Sequence, residues 1–182
     1  FCANLVPILQ SKVLQQAKGT RISMLDSMNL WIEIAKDDLL AVMKSVDLII
    51  INDGEVRMLA QDDNLIRASR SLIKMVGCQT LIIKKGENGV VAFHDDEIIS
   101  LPAYPTENVV DPTGCGDSFA GTIAAFLASN DGNISRDELR EALIRATVTA
   151  SFTLESFGTS GLLNLTNEMF NSRLIEFERI LN

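Results

Sequence analysis

The chain has 182 residues, 47% hydrophobic and 22% charged, which is enough for one domain with a sizeable core. Its net charge of −8 and pI near 4.6 leave no basic face for nucleic-acid phosphates or anionic lipid, so small-molecule chemistry is expected and nucleic-acid and membrane partners are not. Cys2, Cys78 and Cys115 are odd in number, far apart and lack metal-ligand spacing, which argues against a disulfide scaffold or zinc site and for a reducing cytoplasm.

The longest apolar-leaning stretch, 119–128, is too short to span a bilayer. The opening FCANLVPILQ lacks the basic n-region of a signal peptide. Phe1 is no initiator and leads straight into a helical pattern, so the chain is expected to begin partway through a longer protein. Apolar spacing predicts a helix over 7–18, with Gly19 past its end, then a short strand at 21–25 and a helix over 31–44. Residues 47–51, DLIII, form an uninterrupted run of the kind found in strands buried on both faces of a parallel sheet. A turn and helix follow at NDGEVRML, then an amphipathic helix over 64–76 and a second buried strand at 80–84.

Residues 89–94 and 97–101 predict a hairpin around Asp95 and Asp96, with His94 on the surface at its tip. A loop at 102–113 carries three prolines; helices are expected at 118–129, 136–152 and 167–181, with Gly158 and Gly161 bounding a loop. Trp31 and Tyr104 read as packing residues. Buried strands alternating with helices predict a single three-layer α/β/α domain over 1–182 with a mostly parallel sheet.

The strongest chemical signal is the string from Asp111 to Gly121, DPTGCGDSFAG. Gly114, Cys115 and Gly116 open directly onto a helix, whose first amides have no intrahelical partners and whose dipole adds positive charge. Asp117 would repel an anion held there, but it suits a base that takes the proton of an attacking hydroxyl while the amides stabilise the transferring phosphoryl group. The plainer alternative is that Asp117 only charges the first helical turn. Cys115 sits where a thiol pKa tends to fall, and otherwise fills space between glycines. Asn52 and Glu55, three apart after the strand ending at Ile51, suit either a hydrated Mg²⁺ or a capping box. Lys84, before Gly86 and Gly89, reads equally as a phosphate contact or a solvated loop lysine.

The string at 111–119 resembles the second signature of the ribokinase-like PfkB carbohydrate kinases, usually D-T-x-G-A-G-D, with Pro112 and Cys115 as departures small enough to keep the loop. Asn52-Asp53-Gly54-Glu55 resembles that family's N-x-x-E motif, and 84–89 its T-x-G-x-x-G segment under the nucleotide. Asp26-Ser27-Met28-Asn29 is similar to its D-x-N with one residue too many. The resemblance runs from about Asp26 to the last helix and lacks the family's N-terminal strands and lid.

It implies an ATP- and Mg²⁺-dependent kinase with Asp117 as general base and donors from Gly114, Cys115 and Gly116. It places Asn52 and Glu55 at the metal. Nucleotide contacts would come from Lys84, Gly86, Gly89, Thr113, Gly158 and Ser160. Asp111 and Thr113 would serve a monovalent cation such as K⁺ where relatives have one. The implied acceptor is a sugar or nucleoside, and the implied assembly a homodimer. An inert nucleotide-binding module is the competing class, while a dinucleotide oxidoreductase is disfavoured because no G-x-G-x-x-G follows the first strand. No GxxxxGK[ST] P-loop is present either.

Overall fold

Apolar runs build the centre of the sheet. In the computed structural model, which describes residues 1–130 and 134–182, β1 (Met24–Asp26), β2 (Leu48–Asn52) and β3 (Thr80–Lys84) lie side by side in parallel. β4 (Val90–His94) and β5 (Glu97–Leu101) continue the sheet in the order β1-β2-β3-β4-β5. Register pairs Ile49 with Leu25 and with Leu81, and Asn52 with Lys84. Leu48, Ile49, Ile50 and Ile51 are all fully buried, as expected of a strand covered on both faces. The fold is therefore α/β with a mostly parallel sheet, as the alternation of elements predicted. Within this order, Phe1–Lys85 and Val91–Ile99 form one unit, and Gly86–Val90 and Ser100–Asn182 a second.

In the first unit, Leu25, Ile49, Ile51, Leu81 and Ile83 form one core with the apolar faces of three helices: α3 (Lys36–Met43), α4 (Asp53–Ala60) and α5 (Leu65–Val76). Each of the last two starts where an asparagine can cap it. Asn52 accepts the Glu55 N–H at 2.9 Å while the Glu55 carboxylate accepts the Asn52 N–H at 2.8 Å, and Asn64 accepts the Arg67 N–H at 3.0 Å. Gly77 ends α5 with φ 71°, a left-handed position that glycine takes without strain.

α1 (Pro7–Gln16) begins with proline at its first position and ends two residues before the predicted limit. The helix expected over 31–44 is instead two, α2 (Asn29–Ile34) and α3, broken at Ala35, whose φ of −147° leaves the helical region. Asp37 and Asp38 then sit in the first turn of α3, where the dipole favours negative charge, so a fresh helix start suits these residues better than continuation. Trp31 packs against the core as read.

The predicted hairpin forms, and Asp95 takes the left-handed turn position with φ 50°, which short polar side chains tolerate. His94 does not lie on the surface. It is only 5% exposed, because β4 turns its side chain toward β3, where Nδ1 and the Thr80 hydroxyl are 2.9 Å apart.

The second unit is mostly helical: α6 (Cys115–Ser129), α7 (Arg136–Leu154), α8 (Ser160–Leu163) and α9 (Asn167–Leu181). α6 packs along α7 through Phe119, Ala120, Ile123 and Leu127, and α9 contributes buried Leu174 and Phe177. Ser135 and Glu138 form a reciprocal capping box at the start of α7. Three boundaries differ from expectation. α6 starts three residues earlier than predicted, since Gly114 (φ 83°) supplies the turn into it, α7 runs two residues past 152, and Gly161, expected to bound a loop, lies within α8.

In the same unit Gly89 has φ 81°, and a Cβ there would stand 2.1 Å from the Leu101 carbonyl oxygen. Gly89→Ala is expected to cost about 2 kcal/mol of stability, from left-handed strain plus forced backbone displacement, read as a lower urea midpoint at unchanged slope. A midpoint equal to that of the wild type would show that the turn relaxes freely.

Candidate active site

Three parallel strands of the first unit each deliver one polar residue at the C-terminal end: Asp26 from β1, opposite Ile50, and Asn52 and Lys84 side by side from β2 and β3. Open α/β sheets bind ligands at that edge. The capping box fixes Asn52 and Glu55 to each other, so the structural alternative for this pair is realised. It does not exhaust the glutamate, because Oε2 accepts the Asn52 N–H and Oε1 has no hydrogen-bond partner among the described residues.

Glu55 is 2% exposed, and burial pushes its pKa from the usual 4.5 to about 7; the Asn52 amide opposes this, Asp26 adds to it and Lys84 opposes it. Lys84 is no solvated loop lysine. Its Nζ lies 2.5 Å from Asp26 Oδ2, with side-chain exposures of 21% and 10%. Sequence reasoning noted Asp26 without giving it a role; the spacing in the chain contains nothing of the cross-strand pair.

In the second unit the turn 111–117 is held from below by the end of α7. The Leu154 carbonyl accepts the N–H groups of Val110 at 3.0 Å and Asp111 at 3.2 Å, and the Thr106 hydroxyl donates to Glu155 at 2.8 Å. Arg173 of α9 completes the support. It donates to Glu155 at 2.9 Å and to Ser151 Oγ at 2.9 Å, and its guanidinium lies 3.7 Å from the centre of the Phe152 ring. Neither Arg173 nor Glu155 was found from sequence, since one charge on a helix and one just past the end of another give no signal of such a hub.

Asp111 accepts the Thr113 N–H at 2.9 Å, and that bond holds its carboxyl below the usual range. The Cys115 N–H already donates to the Pro112 carbonyl at 3.2 Å, whereas those of Gly114, Gly116 and Asp117 have no hydrogen-bond partner among the described residues. Asp117 occupies the third position of α6 with its side chain exposed and without a partner among the described residues. The Cys115 thiol pKa is raised, by burial first and by Asp111 second, contrary to the fall expected at a helix start; its Sγ donates to the Ala150 carbonyl at 3.6 Å, as a space-filling residue would.

Gly158 has φ 59°, and Ser160 opens α8, flanked by Phe157 at 72% and Leu163 at 81% exposed. Gly86 and Gly89 close a single 3₁₀ turn through a 3.0 Å backbone bond. No group of three or more His, Cys, Asp or Glu able to cage a metal exists among the described residues, and no helix among them is long and apolar enough to cross a membrane.

The profile of the family described as pfkB family carbohydrate kinase matches residues 9–165. Fructokinase-2 of Oryza sativa subsp. japonica is 34% identical over 112 residues, 61% of this chain and 33% of its own. Cytidine kinase of Thermococcus kodakarensis is 34% identical over 127 residues, 67% of this chain and 44% of its own. In fold, the chain is similar to Thermotoga maritima ribokinase (TM-score 0.73, 20% identity, 96% of this chain and 55% of that one) and to Methanocaldococcus jannaschii nucleoside kinase (TM-score 0.75, 24% identity, 96% and 55%). The chain thus spans a third to about half of the length of the relatives it matches.

Proposed function

Because the chain belongs to the pfkB family of carbohydrate kinases, we propose that it carries the nucleotide-binding and catalytic part of an enzyme that moves the γ-phosphate of ATP to a hydroxyl of a sugar or related small alcohol. One observation supports this reading above the others: an exposed carboxylate, Asp117, shares a helix mouth with the amides of Gly114, Gly116 and itself, which have no partner among the described residues. In the proposed step Asp117 takes the proton of the acceptor hydroxyl as its oxygen attacks phosphorus, ADP leaves, and the amides stabilise the equatorial oxygens. Cys115 keeps the turn tight with its own amide bonded back to Pro112.

The residues at the strand edge fit a divalent cation of one kind only. Two side chains, one with a free carboxylate oxygen, suit Mg²⁺ that arrives with its own waters and phosphate oxygens and do not suit a protein cage. Asn52 and Glu55 would hold that ion, which would neutralise phosphate charge. Lys84, Gly86 and Gly89 are assigned to the phosphate side of the nucleotide. Gly158 and Ser160 are assigned to an adenine wall, where the exposed Phe157 and Leu163 offer apolar surface. Asp111 and Thr113 are assigned to a monovalent cation such as K⁺. A single functional domain, a homodimer and a cytoplasmic setting complete the reading.

A nucleoside acceptor is the second reading, and the match to a cytidine kinase over two thirds of this chain favours it. A screen of ADP release by the full-length protein against sugars and nucleosides tests both. Phosphorylation of a sugar supports the first and phosphorylation of a nucleoside the second. ATP binding without product on any acceptor leaves only the inert module.

A further inference from the structure

Asp26, paired with Lys84, is a residue of the strand edge to which the proposed reaction gives no role. Asp26 and Lys84 leave strands β1 and β3, which flank β2, so their side chains meet across the end of the strand that carries Asn52. The pair is mostly buried, and burying two charges costs more than an apolar contact of similar size, so stability alone is a weak reason for it. A bare carboxylate at this edge would repel phosphate; paired with an ammonium it does not.

An ammonium has three N–H donors. Asp26 takes one, and the other two have no partner among the described residues, while the side chain keeps 21% of its surface open. The hydroxyl of Ser27, next to Asp26, is also buried without a partner among the described residues, so this corner holds unspent polar groups besides the Lys84 ammonium. Free in solvent, a lysine of this length would sample many rotamers, and ordering it on binding would weaken affinity.

We propose that Asp26 is a positioning residue: its carboxylate holds the Lys84 ammonium at the end of β3 with two donors spare, so that a nucleotide phosphate meets a charge already in place. This deepens the kinase reading and rests on it. Asp26 touches no reacting atom and acts through Lys84.

The test measures calorimetric affinity for ATP·Mg²⁺ and steady-state kinetics of the full-length protein. Asp26→Asn and Lys84→Met are each expected to weaken ATP·Mg²⁺ binding about tenfold and to raise KM for ATP while kcat changes less than about threefold. The double variant is expected to be no worse than either single one, since both remove one device. Should a single variant fail to fold, the double variant removes both charges together and keeps the comparison. Affinity within twofold of wild type in a folded double variant, or single effects that multiply in it, would overturn the inference while leaving the kinase reading intact. Absence of ATP binding by the wild-type protein overturns both.

Discussion

Asp117→Asn in the full-length protein is expected to lower kcat by a factor on the order of 10² or more while ATP affinity stays nearly unchanged. The substitution keeps size and removes charge and basicity together. Asp117 is exposed at the third position of α6 and has no ion pair or hydrogen bond to a described residue, so the change breaks no such bond among them. What the fold stands to lose is the favourable charge at a helix start, about 0.3–1 kcal/mol. Turnover, not stability, separates the two roles, because that small loss follows in either case. If the carboxylate merely charges the helix, turnover persists. If it takes the acceptor proton, turnover collapses. Steady-state kinetics on the best acceptor, set beside thermal unfolding, reads both at once. Turnover comparable to wild type would remove Asp117 from its role.

The sequence made the strands and the turn legible for a physical reason. Residues 48–51 and 81–83 are apolar without interruption, and only a doubly buried strand uses such a run. Asn52 and Asn64 announced helix starts through local chemistry that needs no tertiary knowledge. Less legible was whatever depends on partners distant in the chain. His94 looked exposed because a hairpin tip usually is, yet Thr80, 14 residues earlier, gives its ring a buried partner. Lys84 reads from sequence equally as a phosphate contact or a solvated loop lysine, because its partner Asp26 is 58 residues away. Arg173 sits on α9 and Glu155 just past the end of α7, both in unremarkable patterns, and only packing brings them under the loop that leads to Asp111. The predicted start of α6 at 118 fell late, because Gly114 is itself the turn and Gly116 is tolerated within the first helical turn.

Glu55→Gln is expected to stabilise the fold at alkaline pH and to weaken Mg²⁺-dependent nucleotide binding at the same time. Burial raises the Glu55 carboxyl from 4.5 to about 7, so the folded protein holds this proton more tightly than the unfolded chain does. Below pH 4.5 both states are protonated and the group contributes nothing. Between pH 4.5 and 7 the unfolded chain ionises first, so folding stability falls as pH rises, and above pH 7 the loss is complete. Its size is on the order of 3 kcal/mol, for a carboxyl moved from 4.5 to about 7. Glutamine carries no charge to bury, and its side-chain carbonyl can still accept the Asn52 N–H, so the capping box survives. The stability gained by Glu55→Gln over wild type, measured by urea unfolding, should therefore grow by that order between pH 5 and pH 8. A constant difference across the range would mean that the buried carboxyl never changes charge on folding. The functional consequence has the opposite sign. A cation needs the ionised form, so Mg²⁺-dependent ATP affinity in the wild type should strengthen from pH 6 to pH 8, and in the variant it should be weaker and flat. An edge residue whose charged form is costly for the fold and required by the ligand is what a binding site, more than a structural cap, would retain.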